Sequence, residues 1–379
     1  GAFYGCEALQ SIEIPDGVVE IGEYAFYGCE ALNSVDIKET SNLQGIYAHA
    51  FDYTGLTEFT IPDTVNEVGQ YAFAHAPLKS ISFSKSIVDI GEKVIYKCDA
   101  IEKLEIGCLE SCDTISYLFG TKNYELAERF IPTTLKNCSM ILDNAFRGCV
   151  NLVDVEFEAT VEYIGAGAFY DCRYLKEISG LENVKKIGEE AFYNCQSITS
   201  VGEMTKVESI GKGTFKNCTS LKQAINIQKM YRIPESAFYN CTSLVSIDGI
   251  EEVTVFEKYC FENCGLYNVT LVLKEAEDIG DSAFAGTKIK ELYFPETDQV
   301  KKVVIKYDAF GGCHYMRSVK LSENIKSIGR GAFSSSDFQK IDIPDSVEEL
   351  GEAAFFGCYK LKEVKIGKGL NKIDKHTFK

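Results

Sequence analysis

The sequence has no apolar run near the roughly 18 residues needed to cross a bilayer, and no basic-then-apolar signal segment opens it. Direct membrane insertion by this chain is therefore not expected. Positive charge is scarce: 39 Lys and Arg stand against 56 Asp and Glu, a net charge of -17. Such a surface repels phosphate backbones, and no nucleic acid partner is expected. Histidine is scarcer still, with His49, His75, His314 and His376 at different repeat offsets. No HExxH, GxSxG or phosphate-loop motif occurs. The GxG occurrences Gly165–Gly167 and Gly211–Gly213 arise from a repeat, and fifty-six acids make accidental glycosidase-like pairs unavoidable. No convergence of nucleophile, base and orienting group is visible, so no catalytic residue, cofactor or metal site is assigned.

What the chain does contain is repetition. "AFYGC" at 2–6 and 25–29 returns as "AFYDC", "AFYNC" and "AFFGC". The motif Phe falls at Phe3, Phe26, Phe51, Phe73, Phe146, Phe169, Phe192, Phe215, Phe238, Phe261, Phe284, Phe310, Phe333, Phe355 and Phe378, with Ile95 in one vacancy. Six consecutive intervals from Phe146 to Phe284 are 23 residues, a fixed period that predicts a solenoid. Within "LQSIEIPDGVVEIGEYAF", Ile12 and Ile14 alternate as on a strand, and Pro15 ends it, as Pro62, Pro295 and Pro344 do in other repeats. Gly22, Gly69, Gly91, Gly165, Gly188, Gly211, Gly280, Gly329 and Gly351 all lie four before the motif position, which suits a bend with positive φ.

One repeat cannot fold alone. Six apolar side chains at roughly 1.5–3 kcal/mol each do not offset roughly 1–2 kcal/mol of backbone ordering per residue. Each coil must bury its Phe, Leu and Ile against the coils beside it and pair its strand in parallel with theirs. The expected architecture is one continuous solenoid over 1–379 of about 16–17 coils, one strand per coil, with short turns or helical pieces on the outer face. Residues 108–134 form an irregular variant coil within it. Residues 115–130 are spaced more like a short helix and loop, covering the outer face or protruding for recognition, and Leu135 to Ile141 reads as a further strand.

Eleven of the fifteen Cys stand three residues after the motif position: Cys6, Cys29, Cys98, Cys149, Cys172, Cys195, Cys218, Cys241, Cys264, Cys313 and Cys358. Thr54, Ala76, Thr287 and Ser336 replace them where the corner is one residue shorter. That exchange fits a small buried side chain, with a weak S–H bond to a loop carbonyl, and does not fit a required bridge or ligand. Cys108, Cys112, Cys138 and Cys260 lie outside the column, and the CxxxC pairs Cys108/Cys112 and Cys260/Cys264 have no matching His. Sequons at Asn137, Asn217, Asn240 and Asn268 matter only in a eukaryotic secretory host.

The residues alternating with the inward apolar ones give a candidate binding face: Glu13, Asp36, Thr60, Ser82, Glu105, Glu156, Asp248, Thr270, Tyr293, Lys320, Asp342 and Lys365. Tyr4, Tyr27, Tyr96, Tyr170, Tyr193 and Tyr239 form a second, partial column, read as half-buried packing in preference to a sugar-stacking ladder.

"CEALQSIEIPDGVVEIGEYAFYGC" (6–29) and "FSSSDFQKIDIPDSVEELGEAAFFGC" (333–358) resemble the BspA-type leucine-rich repeats of bacterial and protist surface proteins. The resemblance implies a leucine-rich-repeat solenoid, horseshoe-like but mainly β. It also implies a non-enzymatic adhesion or binding module at the cell surface or secreted, engaging a protein, such as a host matrix or surface protein, or a glycan. A passive spacer displaying another domain is the alternative, and a carbohydrate-active enzyme the alternative of another class. The chain opens inside the motif at Gly1 and stops at "HTFK", where the motif begins again, which predicts a piece of a longer protein.

Overall fold

The structure is a computed structural model that describes residues 1–107, 131–135, 140–149, 152–157, 161–202, 205–223, 226–296 and 302–379. The chain divides into two compact units, one of Gly1–Val161 with Asp171–Gly180, the other of Glu162–Tyr170 with Leu181–Lys379. Each is a parallel β-solenoid.

In the first unit, strands alternate between two ladders. β1 (Ser11–Ile14), β3 (Ser34–Ile37), β5 (Glu58–Thr60), β7 (Ser80–Phe83) and β9 (Lys103–Ile106) belong to one side of the coils. β2 (Glu20–Ile21), β4 (Gly45–Ile46), β6 (Glu67–Val68) and β8 (Asp89–Ile90) pair in that order on another. On the first side β1 pairs with β3, and a six-stranded sheet runs from β5 through β7, β9, Ile131–Leu135 and Leu152–Phe157 to Glu177–Ser179. The second unit repeats the scheme, with Thr270–Val272, Glu291–Tyr293 and Ser318–Lys320 in one sheet and a six-stranded sheet from Arg232–Ile233 to Glu349–Leu350 in another.

The expectation of one strand per coil holds where Ser209–Ile210, Arg232–Ile233 and Val255–Phe256 are the only strands of their coils among the described residues, and most other coils carry two. The second is only two residues in most coils, the "EI" before the glycine, too short for a period-2 signal in the sequence. Of the short turns or helical pieces expected, the described residues show turns, with a single 3₁₀ turn at Ile250–Glu252.

The corners supply a third inter-coil contact. The N–H of Phe26 donates to Ala50 O at 2.8 Å, Phe51 to Ala72 O at 2.7 Å, Phe215 to Ala237 O at 2.8 Å and Phe310 to Ala332 O at 2.8 Å. Behind these bonds the rings stack nearly parallel. Centroid distances are 5.1 Å for Phe26–Phe51 and 5.3 Å for both Phe192–Phe215 and Phe215–Phe238, close to the strand spacing of about 4.8 Å. Phe51, Phe73, Phe169, Phe192, Phe215, Phe238, Phe261, Phe284, Phe310 and Phe333 are fully buried, and Ile95 fills its vacancy inside. Phe3, with a coil on one side only, is 38 % exposed.

The glycines four before the motif do not adopt positive φ. The left-handed residues lie two before and two after the motif Phe, as at Tyr24 and Gly28 around Phe26 or Glu190 and Asn194 around Phe192. Gly, Asn and Asp at the later position favour that conformation, which explains "AFYGC", "AFYNC" and "AFYDC" as variants of one corner. The earlier glycines answer to a different constraint: a Cβ on Gly91 would lie 2.1 Å from Gln70 N and one on Gly188 2.4 Å from Ala166 N. Coils approach there too closely for a side chain.

Of the irregular stretch 108–134, residues 108–130 lie outside the described residues, as do the helix expected at 115–130 and the coil count that runs through it. Ile131–Leu135 is a strand and Met140–Ile141 another, reaching the two ends of the strand expected over 135–141, whose middle, 136–139, lies outside the described residues. Pairing of the first with Leu152–Phe157 slips at Pro132, which has no N–H to give.

Candidate functional site

The outward face holds its expected residues, grouped in separate stretches. Glu13 pairs with Asp36, Thr60 with Ser82 and Ser82 with Glu105, Tyr293 with Lys320, and Asp342 with Lys365. Glu156 stands opposite Ser179. Thr270 is in register with Glu291 and not with Tyr293, whose partner is Val272, so the one-line reading of that column is corrected. Asp248 lies on no strand; its carbonyl accepts the N–H of Ile227. These side chains are exposed apart from half-buried Ser82 and Glu105. Many are tied to neighbours: Lys38 to Glu13 at 2.7 Å, Lys103 to Glu105 at 2.6 Å, and Lys320 over the Tyr293 ring at 5.7 Å.

The cysteine column is buried except at Cys6. Nine of its thiols reach the carbonyl of the motif residue one coil earlier, among them Cys29 Sγ to Phe3 O at 3.1 Å, Cys195 to Phe169 O at 3.1 Å, Cys218 to Phe192 O at 3.1 Å, and Cys264 to Phe238 O at 3.0 Å. In the short corners Thr54 and Thr287 turn their hydroxyls onto the carbonyl of their own coil, to Phe51 O and Phe284 O at 2.8 Å. Burial pushes the Cys98 thiol up to about 12, and Cys313 and Cys358 to about 11. Thiolate chemistry is closed to them at neutral pH. Cys149 and Cys172 are buried in the first unit, with Cys172 Sγ 3.0 Å from Phe146 O; Cys241 Sγ lies 3.2 Å from Phe215 O. Cys260, outside the column, is also buried, its Sγ 3.7 Å from Ala283 O. Cys108, Cys112 and Cys138 lie outside the described residues.

The corners of the first unit hold a cluster that sequence offsets concealed. His49 lies two before Phe51 and His75 two after Phe73, which looked unrelated; coil stacking brings both to Asp52. The Asp52 side chain is only 3 % exposed, and its two oxygens meet His49 Nδ1 at 2.7 Å and His75 Nδ1 at 2.9 Å. With Nδ1 engaged, each imidazole offers Nε2 outward. His49 is stacked between Tyr24 at 4.7 Å and Tyr71 at 4.9 Å, and His75 on Tyr53 at 4.1 Å. Tyr4 stacks on Tyr27 at 5.0 Å, and Tyr96 meets His75 edge-on at 5.5 Å. Lys93 lies over Tyr71 and Tyr96 at 5.5 and 5.9 Å. Burial, then the Asp52 charge, holds the Tyr27 hydroxyl above its ordinary value. The one signal in the sequence was Asp52 itself, a carboxylate directly after the motif Phe where Tyr4, Tyr27 and Tyr96 stand in other repeats.

The result is a ridge of ring edges, hydroxyls and imidazole nitrogens on rigid backbone. Within the second unit, Tyr170 stacks on Tyr193 at 4.6 Å. His49 has a ring on both faces, whereas Tyr4, Tyr24 and Tyr53 remain 60, 39 and 43 % exposed. Among the described residues no group of three or more His, Cys, Asp or Glu could hold a metal ion. No helix among them is long and apolar enough to cross a membrane. His314 and His376 are exposed and stand apart from the cluster in sequence by more than two hundred residues.

Among solved structures, a leucine-rich repeat protein from Bacteroides ovatus is similar at 23% identity, over 98% of this chain and 76% of that one, with a TM-score of 0.41. A leucine rich cell surface protein from Faecalibacterium prausnitzii is similar at 20% identity, over 96% and 88%, with a TM-score of 0.39. A leucine-rich repeat protein from Eubacterium ventriosum is similar at 19% identity, over 98% and 80%, with a TM-score of 0.34. No curated protein matches the chain. The model of the BspA type leucine rich repeat region matches residues 1–136, 139–271 and 273–379, and the stacked corners, paired strands and buried Phe columns described above are what its repeats build. The chain belongs to the BspA-type leucine-rich repeat family.

Proposed function

We propose that the chain is a non-enzymatic binding module, displayed at the cell surface or secreted, that recognises a protein partner through the corner ridge of its first unit. The observation that carries this reading is the Tyr24–His49–Tyr71 and Tyr53–His75 stacking around buried Asp52. Tyr side chains held in stacks lose little further entropy on binding, and they present apolar edge and hydroxyl together. Such groups carry a large share of the energy at protein interfaces. Hydroxyls and imidazole nitrogens set among the ring edges suit the mixed polar and apolar surface of a protein. The net charge of -17 directs encounter toward basic partner surfaces and makes it salt-dependent.

The test is binding of soluble extracellular-matrix and serum proteins to the immobilised chain at micromolar concentration. A partner should appear, and Tyr24→Ala with Tyr53→Ala should weaken it about tenfold or more, as expected for truncating two interface aromatics. If nothing binds at about 10 µM, the spacer reading replaces this one.

A further inference from the structure

The first-side ladder of the first unit is interrupted once. β3 ends the two-stranded sheet with β1, β5 begins the six-stranded sheet, and no pairing joins β3 to β5. The same two coils are closed elsewhere: β4 pairs with β6, Phe26 stacks on Phe51 at 5.1 Å, and Phe26 N–H donates to Ala50 O at 2.8 Å.

The corners before the two strands differ in length. β3 follows a Cys corner and starts at Ser34, eight residues after Phe26, whereas β5 follows the shorter Thr54 corner and starts at Glu58, seven after Phe51. In the second unit Ser318–Lys320 after Cys313 and Lys340–Asp342 after Ser336 are also unpaired, whereas Thr270–Val272 after Cys264 and Glu291–Tyr293 after Thr287 pair. In the reverse order, with the short Ala76 corner before the Cys98 corner, β7 and β9 pair normally.

Strand alternation fixes what faces the gap. Lys79 N–H donates to Thr57 O and Ile61 N–H to Ser82 O, so residues 57, 59 and 61 aim their main chain at β7. Glu58 and Thr60 therefore aim theirs at β3, and Ser34 and Asp36 aim back, because Asn33 N–H is committed to Gln10 O on the β1 side. Two strand edges with unpaired main-chain groups line one groove. The groove has a volume of about 790 Å³ and a floor of small hydroxyl side chains, Thr60, Ser80 and Ser82. Lys38 and Lys103 at its rim are already engaged by Glu13 and Glu105. Asp36, Glu39, Glu58 and Asp63 line it with no Lys or Arg at ion-pair distance among the described residues.

We propose that this gap is a docking slot for an extended peptide segment bearing Lys or Arg, which adds a strand to the free edge of β5 and sets its cations against those four carboxylates. The inference rests on the reading of the chain as a protein-binding module but places the contact away from the corner ridge. Main-chain pairing supplies affinity in such strand addition, and alternate side chains supply selectivity.

The probe is a fluorescein-labelled nine-residue peptide of alternating Lys and Val, titrated with the full chain at low salt and followed by anisotropy. Saturable binding with Kd below about 100 µM is expected, in the range of short strand-adding peptides. The same peptide N-methylated at every second amide, made in both phases, should bind about tenfold more weakly in at least one phase, and a Glu/Val peptide should not bind. Thr60→Pro, which removes an edge N–H, should weaken binding about tenfold as well. Equal affinity for the parent and both methylated phases, or no binding at about 1 mM, overturns the proposal. The methylated peptides keep the test valid if Thr60→Pro does not fold. Loss of peptide binding with retained ridge-dependent capture of a protein partner sinks the slot and leaves the ridge; retained peptide binding without any ridge effect does the opposite.

Discussion

Replacing Gly91 by Ala should be among the most damaging single changes in the chain, although it adds one methyl group. The Cβ would lie 2.1 Å from Gln70 N, 2.5 Å from Gln70 Cα and 2.6 Å from Gly69 C, all main-chain atoms of the preceding coil. Ordinary contact begins at 3.4 Å, so the coils must part by about 1.3 Å (3.4 less 2.1). The Gly91 N–H to Val68 O bond of 2.7 Å and the Tyr71 N–H to Glu92 O bond of 3.1 Å sit at that spot and would open with it. Two net hydrogen bonds at about 1 kcal/mol each, with about 1–3 kcal/mol of overpacking strain, give a loss of about 3–5 kcal/mol. Gly28→Ala is the control. Its φ is +71° and its nearest added contact is 3.8 Å, so it should lose only the left-handed penalty of about 1–2 kcal/mol. Gly28→Asn should lose less, since Asn194, Asn217 and Asn240 occupy the equivalent place with positive φ. Urea unfolding followed by circular dichroism measures all three. If Gly91→Ala proves no worse than Gly28→Ala, close coil approach is not what the glycine serves.

Three further outcomes are expected. Phe215→Ala, which empties a fully buried site between two stacked rings, should lose about 3–5 kcal/mol, while Phe3→Ala at the half-exposed end should lose about 1 or less in the same urea assay; equal losses would contradict the stack. Stability should fall as pH rises above 9, because the unfolded thiols ionise near 9 while folded Cys98 holds its proton to about 12. That contribution is fully present below pH 9, and about 2 kcal/mol of it is lost for Cys98 by pH 10.5. Urea midpoints at pH 8 and 10.5, compared with Cys98→Ala, check it, and an identical pH dependence in the variant would refute it. A thiol reagent on the native chain at pH 8 should modify Cys6 before any of the eleven buried thiols among the described residues, and rapid modification of Cys218 would contradict its burial.

The repeat made much of the fold legible because inter-coil burial imposes one letter per coil at the same place, so Phe26, Phe51 and Phe73 announce their stack. Pro15 and Pro62 marked strand ends for the same reason: a missing N–H shows where pairing stops. The second ladder escaped because two-residue strands such as Glu20–Ile21 have no periodicity. Gly91 was legible as necessary but not for its reason, since a glycine required by a neighbour and one required by φ look alike in one chain. The left-handed Tyr24, His49 and Glu190 gave no signal, being imposed by the turn against residue preference. His49, Asp52 and His75 come from two corners at different offsets, and only the packing of one coil on the next places them together. The exchange of Cys for Thr54 was visible, but the break between β3 and β5 was not, because whether two strands pair is settled by how their coils pack.

Amide hydrogen exchange at the corners tests most directly whether coils support one another. The N–H groups of Phe192, Phe215 and Phe238 have as their acceptors Thr214 O, Ala237 O and Cys260 O in the following coil, each at 2.8 Å. They should exchange as slowly as the slowest strand amides of the second unit, and all three should speed up together in Phe215→Ala. Fast exchange at those amides in the unaltered chain would contradict the account.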